Sequence, residues 1–221
     1  MNVTEHKHGL YSCQFHYDRM DLINHCAALN DHIHNVLYPE QKTKKEWIDY
    51  ISQKVEKTPT ISLATQLFAM YNLLTIPNKQ VHELYRNIRA TFYSCYEKYH
   101  KQSIINKHFF IQSWLNVYHK GEYIDWHGHH DPKINAWHGF FCVNVEPNSK
   151  TSYRWRTGEF VDVISKNGLM VMGISNGDMH KSSEWTYNNP RITIAFDIVD
   201  SEHINSFYRQ NDIVLNHWIP L

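Results

Sequence analysis

The chain has no apolar run that approaches the roughly 18 residues of a membrane-spanning helix, and its first residues lack the apolar core of a signal peptide. Lys plus Arg and Asp plus Glu number 22 each, so no excess charge predicts duplex nucleic acid or an anionic membrane as partner. The four scattered cysteines form no CxxC pair, which argues against a disulfide framework or a zinc ribbon. They are Cys13, Cys26, Cys95 and Cys142. We therefore expect a soluble cytoplasmic protein.

Histidine is the abundant residue, with 17 copies. Neutral imidazole is the side chain most often used to ligate transition metals, so this composition hints at a metal protein. The His-x-His pattern alone is weak evidence. It occurs at His6 and His8, and again at His32 and His34, where a chain terminus and a predicted helix offer no obvious site.

The patterning changes near residue 105, from helical to strand-like. Apolar residues at i, i+3, i+4 and i+7 predict helices over Asp21–Leu37, Lys44–Lys54, Leu63–Leu74 and, most strongly, Val81–Tyr99. Short aromatic and β-branched runs between glycines and prolines then predict strands over Phe109–Tyr118, Ala136–Val145, Thr151–Trp155, Gly168–Gly173 and Arg191–Ile198.

This order of elements favours an α+β fold, in which N-terminal helices cover one face of a two-sheet barrel. We expect a single domain over residues 1–221, because one barrel of this size is common. Within it, residues 1–104 would be mainly helical support, residues 105–200 the barrel core, and residues 201–221 a closing segment.

The segment 126–131, WHGHHD, follows the first long predicted strand. In extended chain, side chains two residues apart share a face with Cα atoms roughly 6.5 Å apart, so His127 and His129 can converge on one ion. The segment 168–180 ends in a further histidine, His180, after a predicted strand and turn. A third ligand from a distant strand is what a facial metal site with open positions needs.

Arg191 follows His180 by eleven residues and shares a strand face with Thr193. An arginine that points into a barrel must be paired, because an unpaired buried charge is costly, and a planar guanidinium suits a carboxylate. A bound dicarboxylate would pair it. A structural ion pair with an acidic residue of the chain is the alternative.

Residues 105–200 resemble the 2-oxoglutarate and Fe(II)-dependent oxygenase superfamily, in particular its prolyl-hydroxylase-like branch and small phage-type homologues. The pattern is a tyrosine, a glycine, five residues, His-x-Asp, a distal His, and Arg-x-Ser or Arg-x-Thr. Five residues separate Gly121 from His127, and the resemblance makes His127 and His180 ligands to iron. It makes Arg191 and Thr193 the clamp for the far carboxylate of 2-oxoglutarate.

The resemblance further implies a double-stranded β-helix, or jelly-roll, barrel. Tyr118, nine positions before His127, is similar to the tyrosine that assists the carboxylate clamp, and Thr151 resembles a residue that lines the cosubstrate pocket. The implied activity is a dioxygenase, which uses O2 and 2-oxoglutarate to hydroxylate a small-molecule or peptidyl substrate and releases succinate and CO2. The substrate itself and the oligomeric state are not indicated.

The chain departs from the family at the carboxylate position, where His129 stands. We prefer a three-histidine set of His127, His129 and His180, with Asp131 orienting an imidazole from outside. A shift by two residues would give an ordinary His-x-Asp from His129 and Asp131, at the cost of the glycine spacing. His130 and His138 we expect to be surface or core histidines with local hydrogen bonds.

Two rival hypotheses remain. A cupin-like metal protein that does not use 2-oxoglutarate also fits the glycine and paired histidines, but the cupin glutamate is missing and cupins do not require Arg191. A structural protein with a decayed oxygenase barrel would have no reason to keep these polar groups. Because imidazoles must be neutral to ligate, the sequence predicts that metal affinity falls below about pH 6.5.

Overall fold

The computed structural model describes residues 2–37, 62–130, 132–208 and 217–221. The helices in these ranges are α1 (Arg19–His32), α2 (Leu63–Gln66), α3 (Lys79–His100) and α4 (Ser201–Tyr208). The strands are β1 (Val3–Glu5), β2 (Leu10–Gln14), β3 (Phe109–Tyr118), β4 (Trp137–Asn144), β5 (Lys150–Arg154), β6 (Phe160–Ile164), β7 (Leu169–Ile174), β8 (Met179–Ser182), β9 (Arg191–Asp200) and β10 (Ile219–Pro220). None of the described helices combines the length and apolarity that crossing a membrane requires.

Helix α3 carries the most regular apolar stripe of the chain. Its N-cap is Asn78, whose side chain accepts hydrogen bonds from the backbone N–H groups of Gln80 and Val81 and so satisfies two otherwise unpaired donors. On its buried face the Phe92 ring meets the ring of Trp137 on β4 edge to face, with centroids 5.5 Å apart. The helix therefore covers the outer face of the large sheet, as the prediction of helices packed on one sheet requires.

The other predicted helices differ in detail. The segment 21–37 is α1 continued by a π-helical turn, Ile33–Leu37. The segment 63–74 is broken into α2 and two 3₁₀ turns, because Asn72 is extended and its side-chain amide donates to two backbone carbonyls from other elements. The helix predicted over residues 44–54 lies outside the described residues.

Two antiparallel sheets form the barrel. The large sheet has the order β1-β2-β7-β4-β9-β3-β10 and the small sheet the order β6-β5-β8, within the described residues. A single bridge between His127 and His180 extends the small sheet on its β8 side. The core order β7-β4-β9-β3 facing β6-β5-β8 and this bridge is that of a double-stranded β-helix, so the predicted fold class is confirmed.

All five predicted strands are present. Strands β1, β2, β6, β8 and β10 were not predicted. Residues 3–14, which sequence patterning grouped with the helical part, form the hairpin β1–β2 and extend the large sheet through β7. These strands are short or carry polar residues, so their alternation is too brief to be recognised.

Candidate metal centre and cosubstrate pocket

His127 and His180 pair through an isolated antiparallel bridge at the β8 edge of the small sheet. Each backbone N–H donates to the carbonyl of the other, at 3.1 and 2.9 Å, which fixes the two rings with centroids 4.2 Å apart. The ring of His129 lies 5.1 Å from that of His180 and 5.4 Å from that of His127. One ligand atom from each of the three residues lies within 4.8 Å of the others. The structure thus brings together the three imidazoles selected from the sequence.

Hydrogen bonds hold two of these rings in a ligating orientation. Nδ1 of His127 lies 2.8 Å from the backbone oxygen of Asp125, and Nδ1 of His129 lies 2.7 Å from Oδ1 of Asp197. An imidazole that donates from Nδ1 offers the lone pair of Nε2 to a metal. Among the described residues, Nδ1 of His180 has no hydrogen-bond partner.

The site also keeps two of its imidazoles, those of His127 and His180, uncharged. Burial lowers the pKa of His127 to about 4, and repulsion from His129 acts in the same direction. Burial, with repulsion from His127, holds the pKa of His180 well below its usual range. Both residues are therefore neutral at pH 7, which is the state that ligation requires.

A fourth imidazole, His138 on β4, lies behind these three. Its ring stacks on those of His129 and His180 with both centroid distances 4.8 Å, and its Nε2 is 3.0 Å from Oδ2 of Asp178. Burial alone would lower the pKa of His138, but the Asp178 carboxylate raises it. His138 is a core histidine with a local partner, as expected, although ligand atoms of His138, Asp178 and His180 form a second group within 4.8 Å.

The alternative pair of His129 and Asp131 is not tested by the described residues, although the neighbouring His130 is placed. The ring of His130 lies 3.0 Å from Oδ2 of Asp197, on a backbone with a left-handed φ of 47°. Among the described residues, the group of ligand atoms around His127 and His180 includes His129 and not His130. Asp131 lies outside the described residues.

Arg191 begins β9 and is 2% exposed. Its Nη2 lies 3.5 Å from Oγ1 of Thr151, whereas Nε and Nη1 have no hydrogen-bond partner in the described part of the chain. Burial lowers its pKa, and no acidic residue of the described chain is among the groups that oppose this shift. Within the described ranges, Arg191 is a buried cation without an anion, which is the arrangement that a carboxylate ligand would complete.

Tyr118 and Thr193 lie beside Arg191. Tyr118 is the cross-strand partner of Arg191, with its ring centroid 6.0 Å from Cζ of the guanidinium. Burial raises the pKa of Tyr118 to about 12, so its phenol stays protonated and can donate. The hydroxyl of Thr193 accepts a hydrogen bond from the Asn116 amide at 3.3 Å.

Strand β5 links the arginine pocket to the histidines. Thr151 contacts Arg191, and two residues further the ring of Tyr153 stacks on that of His180 at 5.3 Å. Residues two apart on a strand share a face and lie roughly 6.5 Å apart. The guanidinium and the imidazoles therefore belong to one continuous barrel interior.

A scan against protein-family models and a search of curated proteins find no match. Similar solved structures include a prolyl-4-hydroxylase from Pseudomonas putida, with 8% identity, 87% of this chain and 93% of that chain covered, and a TM-score of 0.49. An oxidoreductase of the 2OG-Fe(II) oxygenase family from Burkholderia pseudomallei is 9% identical, and the alignment covers 56% of this chain and 60% of that chain with a TM-score of 0.43.

A Trichoplax adhaerens prolyl hydroxylase, solved in complex with a peptide fragment of the hypoxia inducible factor oxygen degradation domain, has 10% identity. The alignment covers 51% of this chain and 56% of that chain, with a TM-score of 0.39. The similar structures thus include members of the superfamily that the sequence resembles. The fold assignment and the placement of the site residues rest on the strand order and contacts of this chain itself.

Sequence reasoning missed two acids at the centre, Asp178 and Asp197, and it did not predict that His138 stacks on the rings of His129 and His180. Asp178 stands two residues before His180, and Asp197 stands six after Arg191, so each shares a strand face with a residue that was recognised. The i, i+2 rule that selected His127 and His129 could have pointed to Asp178, whereas Asp197 is brought to the site only by the pairing of β9 with β4 and by the path of residues 127–130.

Proposed function

We propose that the chain is a 2-oxoglutarate-dependent Fe(II) dioxygenase that hydroxylates a small-molecule or peptidyl substrate. The observation that carries this proposal is the buried Arg191, whose Nε and Nη1 lack partners among the described residues, in the same barrel interior as three converging imidazoles. A cupin-like metal protein has no use for such a cation. The pairing of a metal site with an anion pocket favours a dicarboxylate cosubstrate.

His127, His129 and His180 would hold the metal. Imidazole suits iron, and three ligands leave positions open for a chelating cosubstrate and O2. Fe(II) bound with 2-oxoglutarate and O2 supplies oxidative decarboxylation to succinate and CO2 together with oxygen insertion into a C–H bond. The backbone oxygen of Asp125 and the carboxylate of Asp197 orient the rings of His127 and His129 so that Nε2 of each would be free to bind the metal.

The far carboxylate of 2-oxoglutarate would be held by Arg191, with Tyr118 and Thr193 beside it. The guanidinium offers two parallel donors, and the protonated Tyr118 phenol offers a further one. Thr151 lies beside the clamp and Tyr153 beside the histidines, and two residues on a strand are roughly 6.5 Å apart. A five-carbon dicarboxylate can bridge such a distance. Buried aromatic rings, Tyr153 and Trp155, exclude water from this interior.

The proposal is tested by adding Fe(II) and then 2-oxoglutarate to the apo-protein without oxygen, and following the visible charge-transfer band of a keto-acid chelate. We expect a band in the wild-type chain and none in His180→Ala, because the loss of a ligand must cost more than the roughly 10–100-fold that loss of an outer partner costs. His16→Ala, at an exposed position of the chain, is the matched control and should keep the band.

Arg191→Met should bind Fe(II) normally but give the band only at much higher 2-oxoglutarate. Metal binding without any band in the wild-type chain would contradict the cosubstrate assignment and favour the cupin-like alternative. Succinate release in the presence of candidate substrates then identifies the substrate class.

A further inference from the structure

Two buried carboxylates lie directly behind the proposed metal ligands. Asp178 is 5% exposed and Asp197 is 7% exposed, and each faces a pair of imidazoles. Oδ1 and Oδ2 of Asp197 lie 2.7 Å from Nδ1 of His129 and 3.0 Å from Nε2 of His130. Oδ2 of Asp178 lies 3.0 Å from Nε2 of His138 and 3.7 Å from Nδ1 of His180.

The two carboxylates come from different sheets of the barrel. Asp197 belongs to β9 and is the cross-strand neighbour of His138 on β4. Asp178 directly precedes β8, which carries His180. The proposed ligand His129 thus has Asp197 beside it, and Asp197 also contacts His130. The proposed ligand His180 has Asp178 beside it, and Asp178 also contacts His138. A surface ion pair would need no such second support.

A charge argument gives these acids a purpose. Three neutral imidazoles leave the full double charge on a divalent ion, and an uncompensated charge in a buried site is costly. The His-x-Asp pattern places one negative ligand in contact with the metal, and in this chain His129 stands at that position. A carboxylate that accepts from Nδ1 makes the imidazole a stronger base at Nε2 and fixes its tautomer.

We propose that Asp178 and Asp197 are positioning residues that supply, through His180 and His129, the negative charge that the absent carboxylate ligand would supply directly. The inference rests on the proposed function, since it presupposes a metal on these histidines. Oδ2 of Asp178 lies 3.7 Å from Nδ1 of His180, beyond hydrogen-bond distance, so Asp178 would act on His180 by its charge rather than by a hydrogen bond.

The test is calorimetric titration of the apo-protein with Co(II), an air-stable probe of the Fe(II) site. We expect Asp197→Asn and Asp178→Asn each to bind Co(II) about 10–100-fold more weakly than wild type, since asparagine keeps the shape and loses the charge. Asp162→Asn removes an acid that bonds Lys150 and Ser152 on the outer side of the small sheet, and should leave the affinity unchanged.

A double-mutant cycle separates action through the ligand from a general structural effect. If Asp197 acts through His129, then Asp197→Asn should weaken Co(II) binding by less than about twofold in a His129→Ala background, whereas Asp178→Asn should keep its effect there. Asp197→Glu, which retains the charge, should recover part of the affinity, and it keeps the test open if the asparagine variant does not fold.

The outcomes are distinguishable. Wild-type affinity in both asparagine variants, or additive effects in the cycle, would overturn the inference while the metal centre stands. Loss of Co(II) binding in His138→Phe together with full binding in His127→Ala would also overturn it, because Asp178 would then be a ligand itself. A wild-type chain that binds no Co(II) would overturn the proposed metal centre, and the inference with it.

Discussion

The histidine end of the barrel interior and its arginine end differ in how well their buried polar atoms are partnered. At the histidine end, the rings of His127 and His129 are oriented by hydrogen bonds that they donate to a backbone oxygen and to Asp197. At the arginine end, Arg191 is more deeply buried, yet two of its three nitrogens have no partner among the described residues. The histidine end is organised by the chain itself, whereas the arginine end would be completed by the dicarboxylate that we propose.

The sharpest way to break this comparison is Arg191→Met, which exchanges the unpaired cation for an apolar side chain of similar length. We expect the apo-protein to be as stable or more stable, by up to about 4 kcal/mol, because the cost of burying the charge disappears. The wild-type chain should gain about 2.7 kcal/mol from 2-oxoglutarate at a hundred times its Kd, and the variant should gain nothing at that concentration.

Urea unfolding with and without 2-oxoglutarate measures both effects. A variant that is strongly destabilised, with no ligand effect in the wild type, would mean that Arg191 has an internal structural partner. The comparison of the two ends would then fail.

The second prediction concerns pH and corrects the value expected from the sequence alone. Two imidazoles that titrated near pH 6.5 would together cost roughly a hundredfold in metal affinity at pH 5.5. Because burial lowers the pKa of His127 to about 4, and that of His180 also falls, these residues do not take up protons at pH 5.5. We expect affinity at pH 5.5 to stay within about tenfold of its value at pH 7.

Calorimetric titrations with Co(II) at several pH values check this expectation. The pH dependence of folding stability is opposite to that caused by a histidine with a raised pKa. The unfolded chain binds protons below about pH 6.5 and the folded site does not, so these two residues destabilise the apo-protein as the pH falls from about 6.5 towards 4. A steep loss of metal affinity already at pH 6 would contradict the neutral state assigned to them.

The smallest expected effect is at Thr151, whose hydroxyl is the nearest described partner of the guanidinium. Thr151→Val keeps the shape and removes one weak hydrogen bond, so we expect affinity for 2-oxoglutarate to fall about three- to tenfold. Metal affinity should not change. A titration of the Co(II)-loaded protein with 2-oxoglutarate measures the first, and equal weakening of both would show that the two ends are not independent.

The sequence predicts the parts of this molecule that repeat one pattern over many residues. Helix α3 and strand β3 were found because their stripes extend over 22 and 10 residues. Helix α2 and its 3₁₀ turns were predicted as one helix, because local pattern does not show that Asn72 bonds the backbone of two distant elements. Short strands such as β8, with four residues, offer too few positions for alternation to be seen.

The candidate site divides in the same way. His127, His129, His180 and Arg191 were selected by spacing, and the structure brings the three imidazoles together, although their role as ligands stays a prediction. Asp197 was missed because a lone acid in an apolar strand does not reveal which side chain it faces. Only the pairing of β4 with β9 and the path of residues 127–130 bring it to His129.

The large sheet ends on both sides in very short strands. Strand β1 pairs with β2 over three residues, and β10 pairs with β3 over two, one of which is Pro220. Long strands with free N–H and C=O groups invite pairing with other molecules, whereas short edges and edge prolines discourage it. The ten-residue β3, rich in aromatic side chains, is thereby shielded along part of its free edge, and the two ends of the chain protect the protein against sheet-to-sheet aggregation.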